Sequence, residues 1–277
     1  MKRRDFLTNT LGVGFALAVR PTAAQTPVVT PSTGLTARWV DIPSQDGNLR
    51  VYQARPSASK NPHLILVISE IFGVHEYIQD VCRRLAQLGY CAMAPELFTR
   101  QGDPKTLESV SAILERITSK TPDQQVMQDL DATVAWAKGQ DIDTEHLGIT
   151  GFCWGGRITW LYSAHNKQLK AAVPWYGRLV GNQTPITPKH PMEMVGDLQA
   201  PLLGLYGGLD TGIPLETIEE METRLKESKN PVAQKSSIYL YDNAPHAFHA
   251  DYRPSYRKED AEDGWKRMLA WFREHGV

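Results

Sequence analysis

The stretch Leu147-Gly-Ile-Thr-Gly-Phe-Cys-Trp-Gly-Gly156 decides the fold. Leu147–Gly151 reads as a buried strand and Gly155 to about Ala164 as a helix, with Cys153 at the centre of the turn between them. A nucleophile on a strand-to-helix turn takes up strained backbone angles, so the residues two before and two after it must be small, as Gly151 and Gly155 are. Its side chain then projects from the strand end, and the N-terminus of the following helix favours a developing negative charge. A thiol so placed ionises near neutral pH if a histidine or the helix end lowers its pKa. Taken alone, Gly-x-Cys-x-Gly fits a buried structural cysteine equally well, so the argument turns on partners elsewhere in the chain.

Working outward, short apolar runs alternate with longer amphipathic segments from residue 38 on, the pattern of an α/β fold with a mostly parallel central sheet flanked by helices. Arg38–Ile42 and Leu49–Ala54 suggest an antiparallel hairpin about an Asp-Gly turn. His63–Ser69 reads as a central strand, Glu76–Leu88 as a helix and Cys91–Pro95 as a short strand. Pro122–Lys138 reads as a helix with proline in its first turn. Strands at Ala171–Tyr176, Pro201–Tyr206 and Ser237–Tyr241 and a helix near Glu259–Arg273 complete the series. No internal repeat or linker interrupts residues 38–277, which read as one domain.

A nucleophile on such a turn needs an acid and then a histidine, each at the carboxyl end of a later strand. Asp210 follows the strand ending at Tyr206 through Gly207-Gly208-Leu209, and His246 follows the strand ending at Tyr241. Asp242 or Asp251 as the acid and His249 as the base are the alternatives; Asp210 is preferred for its Gly-Gly turn, and His246 as the first histidine of its loop. His246-Ala-Phe-His249 has no third ligand placed with it, so no metal and no cofactor are expected.

The composition sets outer limits. With 277 residues, 42% apolar, 22% charged and a net charge of −1, the chain suits a globular enzyme and gives no sign of nucleic acid or an anionic membrane as partner. Three cysteines are too few for a disulfide framework, and Cys82 and Cys91 are expected as buried free thiols. Residues 1–24 carry Lys2-Arg3-Arg4-Asp5-Phe6-Leu7, a short weakly apolar run and Thr22-Ala23-Ala24. This reads as a twin-arginine export signal, cleaved near Ala24, so the chain is expected to meet the twin-arginine machinery and to work in the periplasm. Residues 25–37, rich in Pro, Thr and Ser, are expected to form a flexible lead-in.

Assembled in order, Ser69-Glu-Ile-Phe-Gly73, Ala94-Pro-Glu-Leu-Phe98, the Cys153 turn, Gly207-Gly-Leu-Asp210 and His246-Ala-Phe-His249 with Tyr252-Arg-Pro254 resemble the dienelactone hydrolase (carboxymethylenebutenolidase) family of the α/β-hydrolase superfamily, from about residue 37 to the C-terminus. The resemblance implies opening of an enol-lactone by acyl transfer to Cys153, with His246 moving the proton and Asp210 orienting it. It implies that Glu70 meets the resting thiol and that the backbone N–H groups of Ile71 and Trp154 form the oxyanion hole. Family members specific for dienelactone hold a substrate carboxylate with two arginines. Arg100 matches the first, whereas Ala250 stands at the second position and Arg253 lies nearby. Trp154 and Tyr176 are candidate pocket walls. The expectation is therefore a monomeric hydrolase of small lactones or esters, with a broad carboxylesterase of the same fold, or a non-catalytic exported binding protein, as alternatives.

Overall fold

The computed structural model describes residues 27–277. The expected export signal at residues 1–24 lies outside them. Eight strands form one sheet: β1 (Leu35–Ser44), β2 (Gly47–Pro56), β3 (His63–Ile68), β4 (Cys91–Pro95), β5 (Asp143–Phe152), β6 (Leu169–Trp175), β7 (Leu203–Gly207) and β8 (Ser237–Tyr241). Their order is β1-β2-β4-β3-β5-β6-β7-β8. The β1–β2 and β2–β4 pairs are antiparallel and the rest parallel. This is the mixed α/β architecture expected. Leu64–Ile68 of β3 are fully buried, which explains why the strand is a continuous apolar run: helices cover both faces and leave no solvent side to alternate with.

The helices are α1 (Glu76–Gln87), α2 (Val110–Arg116), α3 (Asp123–Lys138), α4 (Trp154–His165), α5 (Leu215–Glu227), the single turn α6 (Pro231–Gln234) and α7 (Lys258–Glu274). On α4 every residue from Gly155 to Ser163 is buried, so the helix that follows Cys153 is sunk in the core instead of lying on it with one apolar stripe. Helix α2 was not anticipated. It has fewer than two turns, too short for a helical period to show, although Ser109 caps it by accepting from the Ala112 N–H at 3.1 Å.

Two other features depart from expectation. The lead-in expected to be flexible runs along α1: the Thr30 carbonyl accepts from Arg83 Nε at 3.0 Å and the Pro31 carbonyl from Gln87 Nε2 at 3.1 Å. The hairpin is longer than expected, with Ser44 paired to Gly47 across the turn and Gly47 at φ +121°. Cys82 and Cys91 are buried free thiols. Burial pushes both up, Cys91 to about 12, so neither is poised to react. No helix among the described residues is long and apolar enough to cross a membrane.

The hairpin is tied to α3 through a buried carboxylate. Asp129, 1% exposed, accepts from Arg100 Nη1 and Nη2 at 2.7 and 2.9 Å and from Ser44 Oγ at 2.6 Å. Removing the cation strands a desolvated anion, whereas removing the carboxylate leaves an arginine that can still reach water. Arg100→Ala is therefore expected to cost about 3 kcal/mol in urea denaturation and Asp129→Asn clearly less. Equal losses would refute the asymmetry.

Candidate active site

Cys153 is the N-cap of α4, with φ 56° and ψ −111°. A non-glycine residue held at positive φ costs on the order of 1–3 kcal/mol and persists only where its surroundings over-determine it. Those surroundings are visible here. A Cβ on Gly151 would lie 2.3 Å from the Gly155 carbonyl oxygen, and one on Gly155 would lie 2.3 Å from the Ile68 oxygen at the end of β3. One on Gly156 would lie 2.4 Å from the Trp175 oxygen at the end of β6. The start of α4 is thus wedged between two strand ends, and the Cys153 N–H donates to the Trp175 carbonyl at 3.0 Å. The thiol is 2% exposed.

Glycines also bring the acid to the histidine. A Cβ on Gly207 would meet the Ala244 oxygen at 2.3 Å and one on Gly208 the Asp242 oxygen at 2.5 Å. Without those methyl groups the turn after β7 lies flat on the loop after β8, and Leu209 N–H reaches the Ala244 carbonyl at 3.0 Å. Asp210 Oδ2 then accepts from His246 Nδ1 at 2.6 Å, both side chains being buried, and Asp210 Oδ1 is fixed by the Gly212 N–H at 2.8 Å. Burial acts to lower the His246 pKa, but the charges of Asp210 and Cys153, with hydrogen bonds to both, override it and push the imidazole up to about 10.

The alternatives fall elsewhere. Asp242 is exposed and Asp251 is paired with Arg84. His249 is bonded at 2.6 Å to the Tyr77 hydroxyl; burial and then the Arg84 charge hold it well below the ordinary range, so it stays neutral.

Glu70, 2% exposed, stands just after β3 and is gripped through Oε2 by His75 Nε2 and the Tyr252 hydroxyl, each at 3.0 Å. Burial alone would raise its pKa. His75, Arg253 and Tyr252 together outweigh burial and hold it below the usual carboxylate range, so it is charged. Arg253, buried, lies over the Phe72 and Tyr252 rings at 5.2 and 5.6 Å and within the field of Glu70. Tyr176, at φ 38°, packs edge-on to His246 at 5.1 Å.

Cys153 opens into a cavity of about 270 Å³, whose wall includes Ile71, Leu114, Trp154, Arg157 and Arg178. Ile71 and Trp154 line this cavity beside Cys153. Arg100 does not: its guanidinium is bound to Asp129 and Ser44 under the hairpin, so the expectation that it binds substrate is corrected. That contact spans 29 residues, and nothing local to Leu97–Gln101 announces it. Arg178 was overlooked, although its position just beyond β6, at the sheet edge where ligands bind, could have flagged it. Also at the wall, His190 holds its proton on Nε2 toward the Asn182 carbonyl at 3.0 Å and accepts from Arg157 Nε at 3.2 Å on Nδ1.

At the opposite edge of the sheet, His63, Asp143 and His146 gather within 4.8 Å. The two imidazoles stack at 4.4 Å with 13° between their planes, and Asp143 Oδ2 lies 2.7 Å from His146 Nδ1.

The family model for the dienelactone hydrolase family matches residues 49–276. The chain belongs to the dienelactone hydrolase family. It is 56% identical over 278 residues to a protein of Methylorubrum extorquens strain AM1 named "Putative carboxymethylenebutenolidase", covering 100% of this chain and 94% of the relative. An Escherichia coli K12 protein of the same name is 50% identical over 98% of both chains. A crystal structure described as a "Putative Dienelactone Hydrolase", from Klebsiella pneumoniae, superposes with a TM-score of 0.83 at 51% identity, covering 87% of this chain and 99% of the other. This dienelactone hydrolase family member is therefore a hydrolase.

Two outcomes are expected from this geometry. Gly155→Ala should lower stability by about 1–3 kcal/mol and cut hydrolytic kcat/KM far more than that loss explains, because the methyl must push α4 off β3. Activity unchanged in a folded Gly155→Ala protein would contradict it. The raised His246 pKa also has a sign. Its stabilisation is complete below about pH 6.5 and is lost as pH rises toward 10. The unfolding free-energy gap between the wild type and His246→Gln should therefore shrink from pH 6.5 to 10 in chemical denaturation; a constant or widening gap would sink the assignment.

Proposed function

We propose that this chain hydrolyses lactones and small carboxylic esters through an acyl-enzyme on Cys153, with the same chemistry that names its carboxymethylenebutenolidase relatives. The observation that carries the reading is the convergence of a strained, cavity-facing thiol with a buried imidazole 2.6 Å from a buried carboxylate.

The steps follow from the positions. With the imidazole holding the proton, the Cys153 thiolate attacks the carbonyl carbon, and the carbonyl oxygen becomes an oxyanion beside the N–H groups of Ile71 and Trp154. The Trp154 N–H lies in the first turn of α4, whose N–H groups have no intrahelical acceptor. Collapse breaks the bond to the leaving oxygen, which takes the proton from His246; in a lactone that oxygen remains tethered to the acyl group. Neutral His246 then draws a proton from water, hydroxide adds to the thioester, and the carboxylic acid departs as the thiolate and imidazolium are restored. Asp210 accepts from Nδ1 throughout, which keeps Nε2 as the working nitrogen. Glu70, charged and anchored by His75 and Tyr252, matches the family glutamate that meets the resting thiol.

The cavity favours small substrates. At about 270 Å³ it lies just below the usual range for drug-sized ligands. The test is turnover of cis- and trans-dienelactone and of a neutral aryl ester by the wild type and Cys153→Ala. Loss of turnover on the order of 10⁴-fold or more in the variant is expected. Turnover that survives the substitution would discard Cys153 as the nucleophile.

A further inference from the structure

The reacting groups lie at the carboxyl ends of the parallel strands, and a second cluster lies at the other ends, where β3 and β5 begin. His63 opens β3 and pairs with Asp143, the first residue of β5. The register then breaks. β3 advances two residues, from His63 to Ile65, while β5 advances five, from Asp143 to Gly148. The surplus residues bulge out of the ladder, and the bulge turns His146 back beside His63, so that the two imidazoles stack at 4.4 Å. Nothing in the sequence around either histidine announces the cluster, because only the bulge brings the three residues together.

Asp143 is held in a fixed posture between the rings. Its Oδ1 accepts from the N–H groups of Glu145 and His146 at 2.8 and 3.2 Å, an Asx-type turn that shapes the bulge. That leaves Oδ2 toward both histidines, 2.7 Å from His146 Nδ1 and 3.9 Å from His63 Nε2. As a set of hydrogen bonds the arrangement is incomplete, because His63 stands beyond hydrogen-bonding distance of that oxygen. As a set of ligands it is coherent: two imidazole nitrogens and one carboxylate oxygen, all within 4.8 Å of one another. Metal–ligand bonds of roughly 2.0–2.2 Å arranged tetrahedrally put the donor atoms roughly 3.3 Å apart, between the two separations from Oδ2.

We propose that His63, Asp143 and His146 hold a divalent transition-metal ion, Zn²⁺ or Ni²⁺, which clips β3 to β5 at the edge of the sheet away from Cys153. Two imidazoles with a carboxylate form a donor set that suits these ions, whereas a hard ion such as Mg²⁺ takes oxygen ligands. The carboxylate is oriented by main-chain N–H groups, the kind of outer support that fixes a metal ligand in place. The histidine side chains are 40% and 44% exposed, which lets an ion enter and leaves room for water to complete its coordination. Their exposure also permits the one adjustment required. With 13° between their planes, the rings must turn about their Cβ–Cγ bonds until both nitrogen lone pairs point at the ion. That torsion is broad in histidine. The ion then takes the place of the proton in the His146–Asp143 hydrogen bond, and the proton is released to solvent. The clip joins the two strands that lead to Glu70 and to Cys153 at their other ends, and it takes no part in the hydrolytic chemistry.

Binding is measured by isothermal titration of ZnCl₂ into the untagged full chain carrying Cys153→Ala, which removes the cavity thiol as a competing ligand. One equivalent of zinc should bind that depends on all three residues. His63→Gln, His146→Gln and Asp143→Asn, each added to that background, should weaken it by at least about 10- to 100-fold, the loss already usual when only an outer partner of a metal ligand is removed. An excess of Mg²⁺ should not displace the zinc. No zinc bound, binding unchanged in His63→Gln, or displacement by Mg²⁺ would each overturn the proposal.

Urea denaturation of the same proteins reads the clip independently. An ion that binds the native state and joins two strands raises the midpoint by mass action. Saturating zinc should therefore raise it in the Cys153→Ala chain and leave it unmoved in the chain that also carries His63→Gln. Comparing each protein with and without zinc removes any effect of the substitution on the metal-free fold. An equal rise in both would place the ion elsewhere and overturn the site.

Discussion

The start of α4 is wedged between the ends of β3 and β6, and the rest of the site depends on that contact. No side chain larger than hydrogen fits at Gly151, Gly155 or Gly156, where an added Cβ would come within 2.3 to 2.4 Å of a backbone oxygen. This crowding forces Cys153 to φ 56°, which turns its thiol out of the sheet edge into the cavity. The cost of the strained residue is met by burying α4 nearly all round, so that relaxing the turn would mean withdrawing the helix from the core.

A second close approach, at Gly207 and Gly208, does for the acid and base what the first does for the nucleophile. Both place a charged or polar side chain at the carboxyl end of a parallel strand, where helices and loops can close over it. Burying Asp210, His246 and Cys153 together would be prohibitive for any one of them alone. As a set they compensate one another, and the raised pKa of His246 expresses that mutual dependence. The surrounding tyrosines contribute bulk without charge: burial, then the fields of Glu70 and Cys153, keep the Tyr176 phenol protonated.

How much of this was legible in the sequence follows from where each constraint is encoded. The Cys153 turn is local, written in six consecutive residues, and the Gly207–Asp210 and Asp242–His246 segments each announce a strand end followed by a turn. Residues whose partners are remote were harder to read. Arg100 matches a family position by its neighbours Leu97 and Phe98, but its role is set by Asp129 on a helix that begins 23 residues later. Helix α2 is too short to show a period, and the cover segment after β6 has no regular structure beyond two brief 3₁₀ turns, at Pro191–Glu193 and Val195–Asp197. Arg178 went unremarked because it begins that segment, and His190 reads from sequence only as one more scattered histidine.

This division has a physical basis. The sheet edge is built from contacts so tight that few sequences satisfy them, and those contacts position the reacting groups. The cavity wall opposite is made by α2 and by the chain around Thr187 and His190, held to the core through Arg157, Asp123 and the Lys189 carbonyl. Loops carried on a rigid scaffold tolerate change far better than the strand ends beneath them. The reacting groups are held by the sheet edge, and the wall that faces them is made by the cover.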